Sequence, residues 1–350
     1  MPRLPAHLVV IVGLLPLGAG AAPPRSARPR VDHQAMTEAM RAARDSGENY
    51  ASSASYSHFL RSRLLHHEGE HRKALDELRL ALVTDEGNPY LLTSLAEEYA
   101  RIGDLGRAER TLRKVIERAP SWAPGQLLMG RVLAESGKRS RARIHLKRAI
   151  RLDPSEPTGY LVLAQVELES RRSDKAVETI EAMARTVPGD ARGFRALAAA
   201  FAERNDHARA ERMLRRAVEV MPADAEAWRL LAQVYESTHR LEESESAWAS
   251  ALQQDPENVE LLLNAGRVAL RLDTGARARA WFDRTLSLTD DPEIAVRIAF
   301  AYLSADKDRE AVETIEAMAR AVPGDARGFR ALAAAFAERD DHARAERMLR

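Results

Sequence analysis

The sequence predicts an all-α fold, a solenoid of stacked antiparallel helix pairs, and three spacings carry that expectation. Alanines recur every 34 residues at Ala74, Ala108, Ala142, Ala176 and Ala210. Ser244 and Ala278 continue the series, and Ala311 arrives one residue early before Ala345 restores the interval. A proline stands twelve residues after most of these positions, at Pro120, Pro154, Pro188, Pro222, Pro256 and Pro323. A small residue stands twelve before, as in Ala96, Gly130, Ala164, Ala232 and Gly266, and a large apolar one four after, as in Leu78, Leu112, Ile180, Trp248 and Phe282.

Each spacing has a physical reason. Small residues let two helices approach closely, and the large residue one turn on fills the space beside them. Proline ends the second helix of each pair and starts the turn to the next. One pair cannot bury its own apolar face, so neighbours must stack. Gly69, Gly103 and Gly137 each precede the repeating alanine by five residues. That is the place for the turn between the two helices of a unit, where glycine is the preferred C-terminal residue.

Ahead of the repeats the chain reads differently. Arg3, an apolar run over Leu8 to Ala19 and the small-residue pattern Ala19-Gly20-Ala21 follow the order of a secretory signal peptide, with cleavage expected after Ala21. The run is too short to be a full membrane span. Arg25, Arg28 and Arg30 just behind it keep open the alternative of an uncleaved anchor. Residues 22–54 read as a Pro/Arg-rich tether with one helix, capped by Asp32 and carrying Met36, Ala39, Met40 and Ala43 on one face. The expected location is therefore the periplasm or the exterior.

Composition excludes several functions. The 350 residues carry 53 basic and 52 acidic side chains, so nothing draws the chain to a nucleic-acid backbone. There is no cysteine, which removes disulfides, thiol catalysis and cysteine zinc sites. An apolar share of 45% is that of a folded protein.

The segment Trp228-Arg229-Leu230-Leu231-Ala232-Gln233-Val234-Tyr235 resembles the W-x-x-L-G-x-x-Y opening of a tetratricopeptide repeat, and Leu92 to Tyr99 and Phe194 to Phe201 are looser versions. The alanine, the large residue and the proline then follow in the family's order. The resemblance covers residues 55–350, eight full units and a partial ninth. It implies a right-handed superhelix whose first helices line a concave face for peptides or proteins. Groove slots inferred this way include Arg192, Arg195, Arg229, Gln233, Asn264, Arg267, Arg297, Arg327 and Arg330. Some relatives clamp a chaperone C-terminus through such slots. Here Glu293 has the wrong sign for a carboxylate ligand.

Two motifs suggest chemistry. His67-Glu68-Gly69-Glu70-His71 fits H-E-x-x-H, which holds zinc only when both histidines lie on one unbroken helix. Gly69 occupies the turn slot, so His67 should end one helix and His71 begin the next. We read His66, His67 and His71 as a solvated turn, with no metal site. Residues 125–131 have the spacing of a phosphate-binding loop but carry Arg131 in place of lysine and lie inside a first helix.

Residues 176–215 and 311–350 match except at Thr186/Ala321 and Asn205/Asp340, which points to duplication within the array and offers two identical patches to a repetitive ligand. Arg350 falls inside a second helix, so we expect the chain to continue in a longer protein or to meet a partner there. Together these readings predict a non-enzymatic interaction scaffold of the cell envelope, without a cofactor, binding partner proteins or peptides in its groove. The alternatives are a recognition arm for an enzyme lying beyond residue 350 and, more remotely, a zinc peptidase using the HEGEH segment.

Overall fold

The computed structural model describes residues 53–322 and 324–349. The signal segment, most of the tether with its expected helix, and Pro323 lie outside them. Among the described residues there are eighteen α-helices and no strand. They divide between two compact units, up to Pro188 and from Gly189. The first unit holds α1 (Ser53–His67), α2 (His71–Thr84), α3 (Pro89–Arg101), α4 (Leu105–Arg118), α5 (Ala123–Glu135), α6 (Arg139–Leu152), α7 (Pro157–Glu169) and α8 (Ser173–Thr186). The second holds α9 (Arg192–Ala202), α10 (His207–Val220), α11 (Ala225–Ser237), α12 (Leu241–Gln254), α13 (Val259–Arg271), α14 (Gly275–Leu288), α15 (Pro292–Ser304), α16 (Asp308–Ala321), α17 (Arg327–Glu338) and α18 (His342–Leu349). Within each unit an odd-numbered helix packs on the even-numbered one after it, and that helix packs on the next pair.

Local chemistry sets the helix ends. Pro89, Pro157 and Pro292 open α3, α7 and α15, where the missing N–H has no partner to lose. The Asn88 side chain accepts from the N–H groups of Tyr90 and Leu91, and Asp104, Asp206 and Asp224 accept in the same way at α4, α10 and α11. The turn inside each pair needs one residue in the left-handed region. Gly69, Gly103 and Gly137 fill it in the first three pairs, with φ of 79°, 81° and 73°. Arg171, Asn205, His239, Asp273, Asp306 and Asp340 fill it in the other six, at φ between 55° and 60°. The backbone conformation therefore repeats where the glycine signal does not.

The repeating position is a buried alanine in eight of the nine pairs, and Ser244 takes it in the sixth. Ala74, Ala108, Ala142, Ala176, Ala210, Ala278 and Ala311 are all 0% exposed. The large residues one turn on, from Leu78 to Trp248, Phe282 and Ile315, are fully buried beside them. The two glycines in the small-residue slot face unusually close neighbours. A Cβ on Gly266 would lie 2.4 Å from the Phe282 ring, and one on Gly130 would lie 2.5 Å from Leu146. Glycine at these slots is a packing requirement.

Candidate functional site

All nine groove candidates are on odd-numbered helices of the second unit: Arg192 and Arg195 on α9, Arg229 and Gln233 on α11, Asn264 and Arg267 on α13, Arg297 on α15, Arg327 and Arg330 on α17. Most already hold a carboxylate of their own chain. Arg192 and Arg327, equivalent in the two copies, grip Asp190 and Asp325 in the same forked pair, each with an Nη2–Oδ2 contact of 2.6 Å. The Arg327 guanidinium holds Asp325 well below the usual carboxylate range, at about 2. Arg195 lies 3.1 Å from Asp224 and Arg229 lies 2.6 Å from Glu226. Arg267 reaches Glu236 at 3.3 Å, and an Arg297 amine donates to Glu260 at 2.9 Å. Asn264 donates to the Glu260 carbonyl at 2.7 Å. Arg330 meets the Ala326 carbonyl at 3.4 Å, and Gln233 is exposed.

Three of these pairs join one odd-numbered helix to the next: Arg195 to the cap of α11, Arg267 of α13 to α11, and Arg297 of α15 to α13. The row is a laced polar face with alternating charges and little net sign. Of the three pairs only Arg297–Glu260 is open to solvent on both sides, and an exposed pair of that kind is worth about 0–1 kcal/mol.

The HEGEH segment does not form a peptidase centre. Helix α1 ends at His67, Gly69 turns the chain, and α2 begins at His71. The two histidines therefore lie on separate helices, and Glu68 is exposed. A different set of residues meets at this turn. His66 Nδ1 and His71 Nδ1 bond the two carboxylate oxygens of Glu98 on α3, His71 at 2.9 Å. The Glu98 side chain is only 5% exposed. Burial disfavours its charge, but hydrogen bonds from the two rings outweigh that and leave its pKa below the ordinary value. Reading the motif in sequence missed Glu98. The register held a signal for it: its slot, ten residues before the repeating alanine, is Val or Ala in the following units.

With the geometry in view, the comparisons are direct. A tetratricopeptide family model, that of the cilia and flagella-associated protein 70 C-terminal domain, matches residues 30–261, more than half of the chain. The tetratricopeptide repeat model itself matches residues 237–292. The chain belongs to the tetratricopeptide-repeat family. Among solved tetratricopeptide proteins, the C-terminal part of a repeat protein from Cytophaga hutchinsonii superposes with a TM-score of 0.50 at 14% identity, covering 73% of this chain and 99% of that one. A tetratricopeptide protein from Parabacteroides merdae gives 0.44 at 14% identity, covering 71% and 99%. YrrB, described as having an unusual peptide-binding site, gives 0.37 at 22%, covering 52% and 94%. Likeness at these identities concerns the fold alone. No curated protein matches the sequence. Tetratricopeptide proteins bind protein or peptide partners and are generally non-catalytic scaffolds.

Proposed function

We propose that this chain is a non-enzymatic scaffold of the cell envelope that holds partner proteins or peptides along the odd-numbered helices. The observation that carries this reading is the polar row of the second unit, where Arg192, Arg229, Arg267, Arg297, Arg327 and Arg330 line successive first helices. Glu226 and Glu260, the carboxylates held by Arg229 and Arg297, are exposed, so those two pairs are the ones best able to exchange. A partner offering Asp, Glu or a C-terminal carboxylate would replace an internal pair with an equivalent one, so recognition would rest on matching several arginines at once. The envelope location rests on the signal-like segment up to Ala21.

Crosslinked capture from the source cells, read by mass spectrometry, tests the groove. The comparison is a chain with Arg192, Arg267, Arg297 and Arg330 all changed to Gln, its helicity checked by circular dichroism. We expect one or two envelope proteins to fall by about tenfold or more in the variant, since losing 1.4 kcal/mol across four contacts suffices for that change. A partner list the substitutions leave unchanged overturns the arginine face as the site.

A further inference from the structure

The turn between α1 and α2 carries a cluster that the groove reading does not use. His66, His71 and Glu98 each place a ligand-type atom within 4.8 Å of the other two, the one such group among the described residues. The repeat register shows how unusual this is. Glu98 lies ten residues before Ala108, and the same slot in later units holds Val132, Val166, Ala200, Val234, Val268, Ala301 and Ala335. All seven are buried. The slot of His66, eight before the alanine, is Ala100, Ala134, Leu168, Ala202, Leu270, Leu303 and Ala337 elsewhere, with Glu236 the one other polar residue. The fold therefore mostly places apolar groups at these positions. Only the first pair of units exchanges them for a carboxylate and an imidazole, at the cost of burying a charge.

Among the described residues the ion pairs of the Glu98 side chain are with the two rings, with no lysine or arginine among them. Both carboxylate oxygens are engaged, one by each ring. The ring centroids of His66 and His71 stand 5.6 Å apart, brought together by the reversal at Gly69. Two Nδ1 atoms and a carboxylate converge on one point from three helices. That donor set suits zinc and its neighbours among divalent transition metals, and it suits calcium or magnesium poorly because those take oxygen alone.

We propose that His66, His71 and Glu98 bind one divalent transition-metal ion, zinc or a close relative, which clips α1, α2 and α3 together. The ion takes the place of the two ring–carboxylate hydrogen bonds, each ring then carrying its N–H on Nε2 and offering Nδ1 to the metal. The exposed side of His71 leaves a position for water or for a ligand from elsewhere. This set is distinct from H-E-x-x-H: it takes His66 in place of His67 and Glu98 in place of Glu68.

The test uses the full chain without an affinity tag, stripped with chelator and dialysed. Zinc is titrated in competition with a chromophoric chelator, and cobalt(II) absorption reports the ligand geometry. Glu98→Val and His66→Ala install residues that the other units use at those slots, so both should fold, and circular dichroism checks that they do. We expect one ion per chain. Either substitution should weaken zinc binding by at least about a hundredfold, more than the loss of a supporting residue alone. His67→Gln and Glu68→Gln should stay within about threefold, a change too small to mark a lost ligand. Binding that survives both Glu98→Val and His66→Ala, or that His67→Gln abolishes, overturns the proposal. So does a stoichiometry well below one. If Glu98→Val fails to fold, His66→Ala with the cobalt spectrum decides.

Discussion

At the scale of single residues, buried carboxylates distinguish positions that look alike in the sequence. Glu98 and Glu109 are both acidic residues within helices, yet one meets imidazoles and the other meets cations. The Glu109 side chain, 6% exposed, receives Lys138 at 2.6 Å, Arg113 at 2.5 Å and Arg141 at 3.4 Å. Hydrogen bonds from Lys138 and Arg113 lower its pKa from 4.5 to about 2. A depressed carboxylate pKa means the unfolded chain binds the proton more readily. Its contribution to stability is therefore complete above the ordinary value and fades as pH falls from 4.5 toward 2. The cations themselves are about half exposed, so screening reduces the contribution to about 1 kcal/mol. We expect Glu109→Gln to lower the urea midpoint at pH 7, with the gap from the parent chain narrowing as pH falls below 4.5 and closing only below about pH 2. A gap that persists at the acid end assigns the loss to packing instead.

At the scale of the element, the turn inside each helix pair is the revealing feature. Three of nine carry glycine, and their positions in the sequence predict the turn. The other six adopt the same left-handed backbone with side chains that disfavour it relative to glycine, Arg171 most of all because Asn, Asp and His tolerate that region better. Arg171→Gly and His239→Gly should each raise stability by about 0.5–1 kcal/mol, measured as a shift in denaturation midpoint at unchanged cooperativity. A loss of stability would mean that the side chain makes contacts worth more than the strain. These turns were invisible in the residue types, since the helices on either side impose the conformation. The small-residue slot shows the converse. Gly130 and Gly266 were legible as close-approach positions, but which side chain they admit, Leu146 or Phe282, follows from the packing.

At the scale of the whole molecule, the near-identical copies show how far local sequence carries. Asp190–Arg192 and Asp325–Arg327 form the same forked pair because both partners lie two residues apart. Context alters the rest: Thr186 Oγ1 lies 3.1 Å from the Tyr160 hydroxyl, a contact that Ala321 in the second copy cannot make. The export reading also belongs to this scale, because it concerns where the entire scaffold works. No helix among the described residues is long and apolar enough to cross a membrane. Expressed with its N-terminus intact in a secretion-competent host, the chain should appear in the exported fraction lacking residues 1–21, as intact mass will show. An uncut chain in the membrane fraction indicates an anchor, and an uncut cytosolic chain overturns the envelope assignment.

The sequence by itself determined the all-α class, the helix pairs, the buried alanine axis and the break in HEGEH, because each depends on a period or on neighbours within a few residues. Only the tertiary structure decided that the groove arginines hold carboxylates on adjoining helices, such as Arg267 with Glu236 and Arg297 with Glu260. It also decided that Glu98 sits between His66 and His71. Those partners stand about thirty residues apart, one repeat length, as His66 and Glu98 do at 32. A 34-residue period brings their slots together in space, yet which side chain reaches across depends on rotamers and burial, which no spacing encodes.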